Sequence, residues 1–281
     1  MESTTYRLSE DIRAFLQEKK YLENISTRTI VLYESCFRAF AGALEPHELQ
    51  GRVVELRSRG VSPITVNTYL RHIKCYYGWK GLEWKIPKLK EEQKALSVLS
   101  PTQMKSLLSF RPVGVNLKRA HLVCLTILDT GLRASEVLGL TTENIDLDNL
   151  VFRVHGKGGK HRLVPFSTEL CKSIFRHLKS IPKSYIFGTK NNTKVSVRNL
   201  ERDFKVLGDK IGINGIRFSP HTFRHTFAVS YLRNGGNLEY LRRILGHSSL
   251  TVTQGYLKAL GVEELCQVHS HLSPLTMRQN D

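Results

Sequence analysis

The stretch Ser219–Tyr256 reads SPHTFRHTFAVSYLRNGGNLEYLRRILGHSSLTVTQGY. It sets a His-x-x-Arg-His run (His221, Arg224, His225) ahead of Leu245-Gly246-His247 and places Tyr256 nine residues after that histidine. On a helix, His221 and Arg224 lie one turn apart and serve one patch of space. Upstream, TGLRASEVLGL carries Arg133 and Glu136 at the same spacing. Paired arginines suit the non-bridging oxygens of a phosphodiester, because each guanidinium offers a planar fork of donors. Histidine moves protons near neutral pH, and a tyrosine hydroxyl can attack phosphorus covalently. Such a set can break and rejoin a nucleic-acid backbone without a metal.

The histidine pair His221/His225, at i and i+4, also matches the spacing of two zinc ligands. A hydrolytic zinc helix, however, needs a glutamate beside its first histidine, whereas Thr222 and Arg224 fill the interval here. A cationic arginine inside the run disfavours a metal cation. No metal or other cofactor is expected.

The composition points the same way. Across 281 residues, 42 Lys+Arg stand against 25 Asp+Glu, a net charge of +17. Residues 1–90 hold 15 basic and 10 acidic side chains, an excess of +5, which leaves +12 for the remainder. Positive charge on both halves fits a polyanion gripped by the whole molecule. The five cysteines (Cys36, Cys75, Cys124, Cys171, Cys266) are scattered, with no C-x-x-C pair, so a reducing compartment fits best. The N-terminus has no apolar signal core, and no apolar run approaches the roughly 20 residues of a membrane helix. A soluble, cytoplasmic protein is expected.

The elements that must position these residues follow from periodicity. Helices are predicted over 7–19, from Ser26-Thr27 to near Gly42, over Glu45–Ser58, and from Ser62-Pro63 to Trp79, making a small all-α bundle with a basic face. Residues 85–98 lose the apolar period and read as a linker. Ser100-Pro101 opens the second domain, and 117–128 reads as a buried helix in which His121 and Cys124 are core residues. Asp129-Thr130-Gly131 then breaks the chain and delivers Arg133 to the next helix. LVFRVHGKGGKHRLVPF (150–166) predicts a β-hairpin with Lys157 and Lys160 near its tip. Further helices are predicted over 167–179, 196–210, 221–234, 237–245 and 249–257. Tyr231 and Tyr240 fall in apolar-periodic pattern and read as core.

TGLRASEVLGL, HGKGGKHRLVP, PHTFRHTFA and LGHSSLTVTQGY, in that order and spacing, resemble the successive motifs of the tyrosine recombinase (phage integrase-like) family, most nearly its compact Xer-type and transposon-encoded members. The resemblance covers the catalytic half, and the N-terminal helices resemble that family's core-binding domain. It implies a mainly α fold: a four-helix, SAM-like core-binding domain (1–84), a linker (85–98), and a mostly helical catalytic domain with a small β-hairpin (99–281). An exchange helix is implied at about 261–272.

Carried over by position, the resemblance implies that Arg133 and Arg224 clamp the scissile phosphate and that Tyr256 attacks it. The products would be a 3′-phosphotyrosyl enzyme and a free 5′-hydroxyl. Lys157 would be the general acid, with Lys160 the alternative. His221 would take part in proton transfer from the tyrosine, His247 would donate to a phosphate oxygen, and Glu136 would orient the site. Expected DNA contacts are Arg71, Lys74, Lys160, Arg162, Arg242 and Arg243. The partner would be double-stranded DNA with an inverted-repeat core site, since no room for an arm-binding domain precedes residue 7. Assembly would be a tetramer on two duplexes, with accessory proteins possible. The competing functions are type IB topoisomerase-like relaxation and catalytically silent DNA binding. Gly255, before the tyrosine, stands where the family more usually has a bulkier residue and implies a mobile Tyr256 segment.

Overall fold

The computed structural model describes residues 8–41, 43–92, 96–156, 161–179, 184–262, 266, 269 and 270. The chain divides into two compact units, residues 1–94 and 95–281. The described part is mainly helical with one three-stranded antiparallel sheet, as expected.

The first unit holds α1 (Glu10–Tyr21), α2 (Thr27–Phe40), α3 (Pro46–Ser58) and α4 (Pro63–Lys80). The side chains of Ser9, Ser26 and Ser62 cap α1, α2 and α4 by accepting backbone N–H bonds, and Pro46 and Pro63 sit in the first turns of α3 and α4. The core gathers around Phe15, which meets Tyr33, Phe37 and Tyr76 edge-on at 5.5, 6.1 and 5.4 Å. Edge-to-face pairs add to the roughly 1.5–3 kcal/mol that burial of each such side chain contributes. The segment read as a linker from residue 85 is tied to this unit through Glu91. Asn67 donates to the Leu89 carbonyl and to Glu91 and accepts from the Leu89 amide, while Ile86 is buried. A single buried asparagine on α4 thus holds a stretch whose own composition gave no sign of order.

The second unit contains α5 (Pro101–Ser109), α6 (Val115–Thr130), α7 (Ala134–Val137), β1 (Ile145–Asp146), β2 (Val151–His155) and β3 (His161–Pro165). There follow α8 (Thr168–Leu178), α9 (Val197–Ile211), α10 (Pro220–Arg233), α11 (Leu238–Leu245) and α12 (Leu250–Gln254), then a 3-10 turn, Gly255–Ala259. The sheet order is β1-β2-β3, with β2 and β3 in register from Val151↔Pro165 to His155↔His161. Helices α6 and α10 pack against each other at the centre, and the Leu99 amide is bound by Thr226 of α10. Buried His121 binds the Leu107 carbonyl, as a core histidine should. Tyr240, read as core, instead points outward on α11 and is 60% exposed. The helix expected over 249–257 is split, because the chain tightens into a 3-10 turn at Gly255. No described helix is long and apolar enough to cross a membrane.

Candidate active site

Two helix C-termini build the floor of the site. Helix α6 ends at Gly131 and α11 at Gly246, both left-handed (φ 64° and 65°). A Cβ at Gly131 would come within 2.4 Å of Phe227 and 2.6 Å of Leu245, so conformation and space both require glycine. The last carbonyls of a helix lack intrahelical partners and carry its negative dipole end. Here three arginines answer them. Arg224 donates from Nη1 to the Gly131 carbonyl and from Nη2 to the Leu245 carbonyl (2.9 Å). Arg133 donates to the Leu245 and Gly246 carbonyls at 3.4 Å. Arg162, from β3, donates from Nε to the Ile244 carbonyl at 3.0 Å.

Glu136 locks this cluster together. It accepts the Arg133 backbone amide (2.9 Å) and guanidinium (3.0 Å), and the Arg162 fork bidentately at 3.0 and 2.9 Å. Burial alone would push the Glu136 carboxyl up, but the Arg162 fork, the Arg133 amide and both positive charges outweigh it and hold it below the usual carboxylate range. Glu136 therefore remains charged at neutral pH.

Arg224 sits at the centre, only 5% exposed, with its pKa lowered to about 10 by burial and by Arg133 nearby. It stays cationic at neutral pH. Its Nη2 also binds His247 Nε2 at 2.9 Å, and His247 Nδ1 meets buried Thr253 Oγ1 at 3.0 Å. An arginine can only donate, so Nε2 is the acceptor and the imidazole proton lies on Nδ1. Burial, then the charges of Arg224, Arg133, Arg162 and Arg242, lower the His247 pKa to about 4. In this arrangement both His247 nitrogens are engaged, and the N–H expected for a phosphate oxygen is directed to Thr253 instead.

Tyr256 lies on the 3-10 turn, 6% exposed, its ring parallel to His247 at 6.3 Å. Its hydroxyl is 3.2 Å from Nδ1 of His225. Burial raises the phenol pKa, against the opposing pull of Arg224 and Arg133. His221, expected to serve the tyrosine, is exposed one turn earlier on α10 and, among the described residues, makes no hydrogen bond to Tyr256. Its ring stands 6.4 Å from that of His225.

The structure thus brings together Arg133, Glu136, Arg224, His247 and Tyr256, and adds His225, Thr253 and Arg162. Arg162, expected to contact DNA, has its guanidinium turned inward onto Glu136 and the Ile244 carbonyl, and the side chain is 15% exposed. Arg242 is likewise engaged, by Glu239 and the His247 carbonyl, while Arg243 pairs with Glu239 at the surface. Arg71 and Lys74 are exposed on α4. Lys157 and Lys160 lie outside the described residues, as does most of the expected exchange helix at 261–272. Among the described residues, no group of three His, Cys, Asp or Glu is placed to hold a metal ion.

Comparison with known proteins gives a consistent picture. The profile of the phage integrase family matches residues 97–261. The chain is 31% identical over 249 residues to the tyrosine recombinase XerA of Thermococcus kodakarensis, covering 84% of this chain and 86% of that one. It is 29% identical over 301 residues to XerD of Shewanella oneidensis, covering 94% and 98%. In fold it is similar to the Tn1549 transposon integrase in complex with circular intermediate DNA, with a TM-score of 0.77 at 20% identity over 94% of this chain and 99% of that one. It is also similar to a lambda integrase dimer bound to a core site, with a TM-score of 0.72 at 14% identity over 91% and 96%.

Proposed function

The chain belongs to the phage integrase family and is a tyrosine-type site-specific recombinase, and from that premise we propose how its residues divide the reaction. Arg133 and Arg224 clamp the scissile phosphate and stabilise the charge that grows on its oxygens in the pentacoordinate transition state. Arg133 is the more accessible, with its side chain 43% exposed. Arg224 donates to the Gly131 and Leu245 carbonyls and to His247, and it also hydrogen-bonds the Tyr256 side chain, which sets it beside the attacking oxygen. Tyr256 attacks phosphorus and forms a 3′-phosphotyrosyl bond, releasing a 5′-hydroxyl. Lys157 protonates the departing 5′-oxygen. Glu136 holds Arg133 in place from beneath. His247, neutral and bound to Arg224, fixes that guanidinium, and it turns toward phosphate only by giving up Arg224 or Thr253.

The observation that carries this reading is the convergence on α10. Arg224, itself in the third motif, touches the first through Gly131 and the fourth through Leu245 and His247, while its neighbour His225 touches Tyr256. Segments more than a hundred residues apart meet around one guanidinium and one phenol, which a protein that only binds DNA has no need to assemble.

The partner is duplex DNA with an inverted-repeat core site, bound by a tetramer that joins two duplexes in the cytoplasm. The solved relatives in complex with DNA support a DNA partner. The task is resolution of dimers or cointegrates, or integration and excision of a mobile element. Covalent capture tests the reading. Nicked duplexes with randomised arms are incubated with wild type and Tyr256→Phe, and the DNA that survives denaturation on protein is sequenced. We expect adducts with wild type only, enriched in one inverted repeat. Trapping without sequence preference would replace recombination by relaxation, and adducts from Tyr256→Phe would remove the nucleophile assignment.

A further inference from the structure

His225 is the histidine in hydrogen-bond contact with the reacting hydroxyl, and none of the roles above uses it. Its Nδ1 lies 3.2 Å from Tyr256 Oη, within the reach required of a general base. We propose that His225, rather than His221, accepts the Tyr256 proton when the strand is cut; this rests on the recombinase reading above. In the step, a lone pair on Oη forms the O–P bond and the proton passes from Oη to Nδ1. The P–O5′ bond breaks, and its oxygen takes a proton from the acid. In the return step an incoming 5′-hydroxyl loses its proton to the conjugate base of the acid and attacks phosphorus, the P–Oη bond breaks, and the imidazolium gives its proton back to Oη.

Several features agree with this assignment. The phenol is buried and its pKa raised, so ionisation before attack is disfavoured and a base in contact is worth most. His225 is half-buried, and burial, then the neighbouring His221 and Arg224, lower its pKa, which keeps Nδ1 free to accept. The groups facing it are His221 and Arg224 of its own helix and Tyr256 of the 3-10 turn. A bound phosphodiester brings a negative charge against the Arg224 guanidinium and eases formation of the His225 imidazolium. His221, exposed a turn away, is better placed to meet incoming DNA than the phenol.

The test is single-turnover cleavage of the captured core site, made with an ordinary 5′-oxygen or with a bridging 5′-sulfur at the scissile position. Sulfur leaves without an acid, so it rescues the loss of an acid but not of a base. We expect His225→Asn and His225→Gln to bind DNA as wild type does in gel shifts, yet to cleave both substrates roughly 100-fold more slowly. The rise in wild-type rate on the acid side of neutrality should vanish in both variants and persist in His221→Asn. Rescue of the His225 variants by sulfur, wild-type rates from them, or loss of the pH-dependent rise in His221→Asn instead would overturn the assignment. Absence of any adduct from wild type would overturn the recombinase reading itself, which separates the two failures.

Discussion

Arg224 donates from Nη2 to Nε2 of His247 at 2.9 Å, and this contact fixes the protonation state of the histidine. A ring nitrogen that accepts from a guanidinium cannot itself hold a proton, so charging His247 means expelling Arg224 from its place.

Acid stability follows from that contact. The His247 pKa falls to about 4 in the folded chain, below its usual 6.5. The unfolded chain therefore binds the proton first as pH falls, and stability present above 6.5 is lost progressively between 6.5 and 4. Linkage puts the loss from this residue on the order of 2 kcal/mol between pH 7 and pH 5. Urea unfolding of His247→Gln should show a correspondingly shallower loss over that interval. An acid limb as steep as wild type would remove His247 as its source.

Glu136 and Arg162 form a nearly buried pair, their side chains 9% and 15% exposed. Removing Glu136 strands the Arg162 charge, a loss of about 3–5 kcal/mol, whereas Glu136 without Arg162 still has Arg133; replacing both members of such a pair by apolar groups of similar size is often close to neutral. Glu136→Leu should lower the melting temperature sharply and Arg162→Met less so, because Arg133 still pairs with Glu136, and the double variant should be more stable than Glu136→Leu alone. Additive losses in a double-mutant cycle would show that the pair does not act as a unit.

Much of the helical layout was legible because its signals are local. Ser9, Ser26, Ser62, Ser100, Ser167 and Ser196 each open a helix by accepting a backbone amide, and a serine ahead of an apolar period can be read directly. The motif residues were legible for the same reason, as types at fixed spacings. The partners of the arginines were not. Gly131, Ile244, Leu245 and Gly246 contribute only carbonyl oxygens, which every residue possesses, so nothing in their side chains marks them as ligands for a guanidinium. Arg162 looked like one more cation for DNA because its Glu136 partner lies 26 positions away on another element. His225 was visible only as half of an i, i+4 pair, and the choice between it and His221 depends on where the turn carrying Tyr256 comes to rest.

Two glycines near the site should respond oppositely to alanine. Gly131 is left-handed and packed against Phe227 and Leu245, so Gly131→Ala should cost about 2–4 kcal/mol through backbone strain and overpacking. Gly255 has helical angles (φ −56°, ψ −27°) and open space around its Cβ position. Gly255→Ala should stabilise by about 0.5–1 kcal/mol by removing backbone freedom next to Tyr256. Thermal unfolding of both variants checks the pair of signs, and a loss of stability in Gly255→Ala would mean that the segment needs its glycine.

The two classes of basic residue should separate in salt titrations of DNA binding. Each Lys or Arg that neutralises a phosphate steepens the fall of log K with log salt by roughly one unit. Arg71 and Lys74 are exposed on α4 of the first unit, whereas the Arg162 donors are held by Glu136 and the Ile244 carbonyl. Arg71→Ala and Lys74→Ala should each lower the slope by about one unit and weaken binding similarly on all sequences. Arg162→Met, measured well below its melting temperature, should leave the slope at the wild-type value. A drop in slope for Arg162→Met would place that guanidinium on the phosphates in the complex, and the ion pair with Glu136 would then be an arrangement of the unbound protein that DNA takes apart.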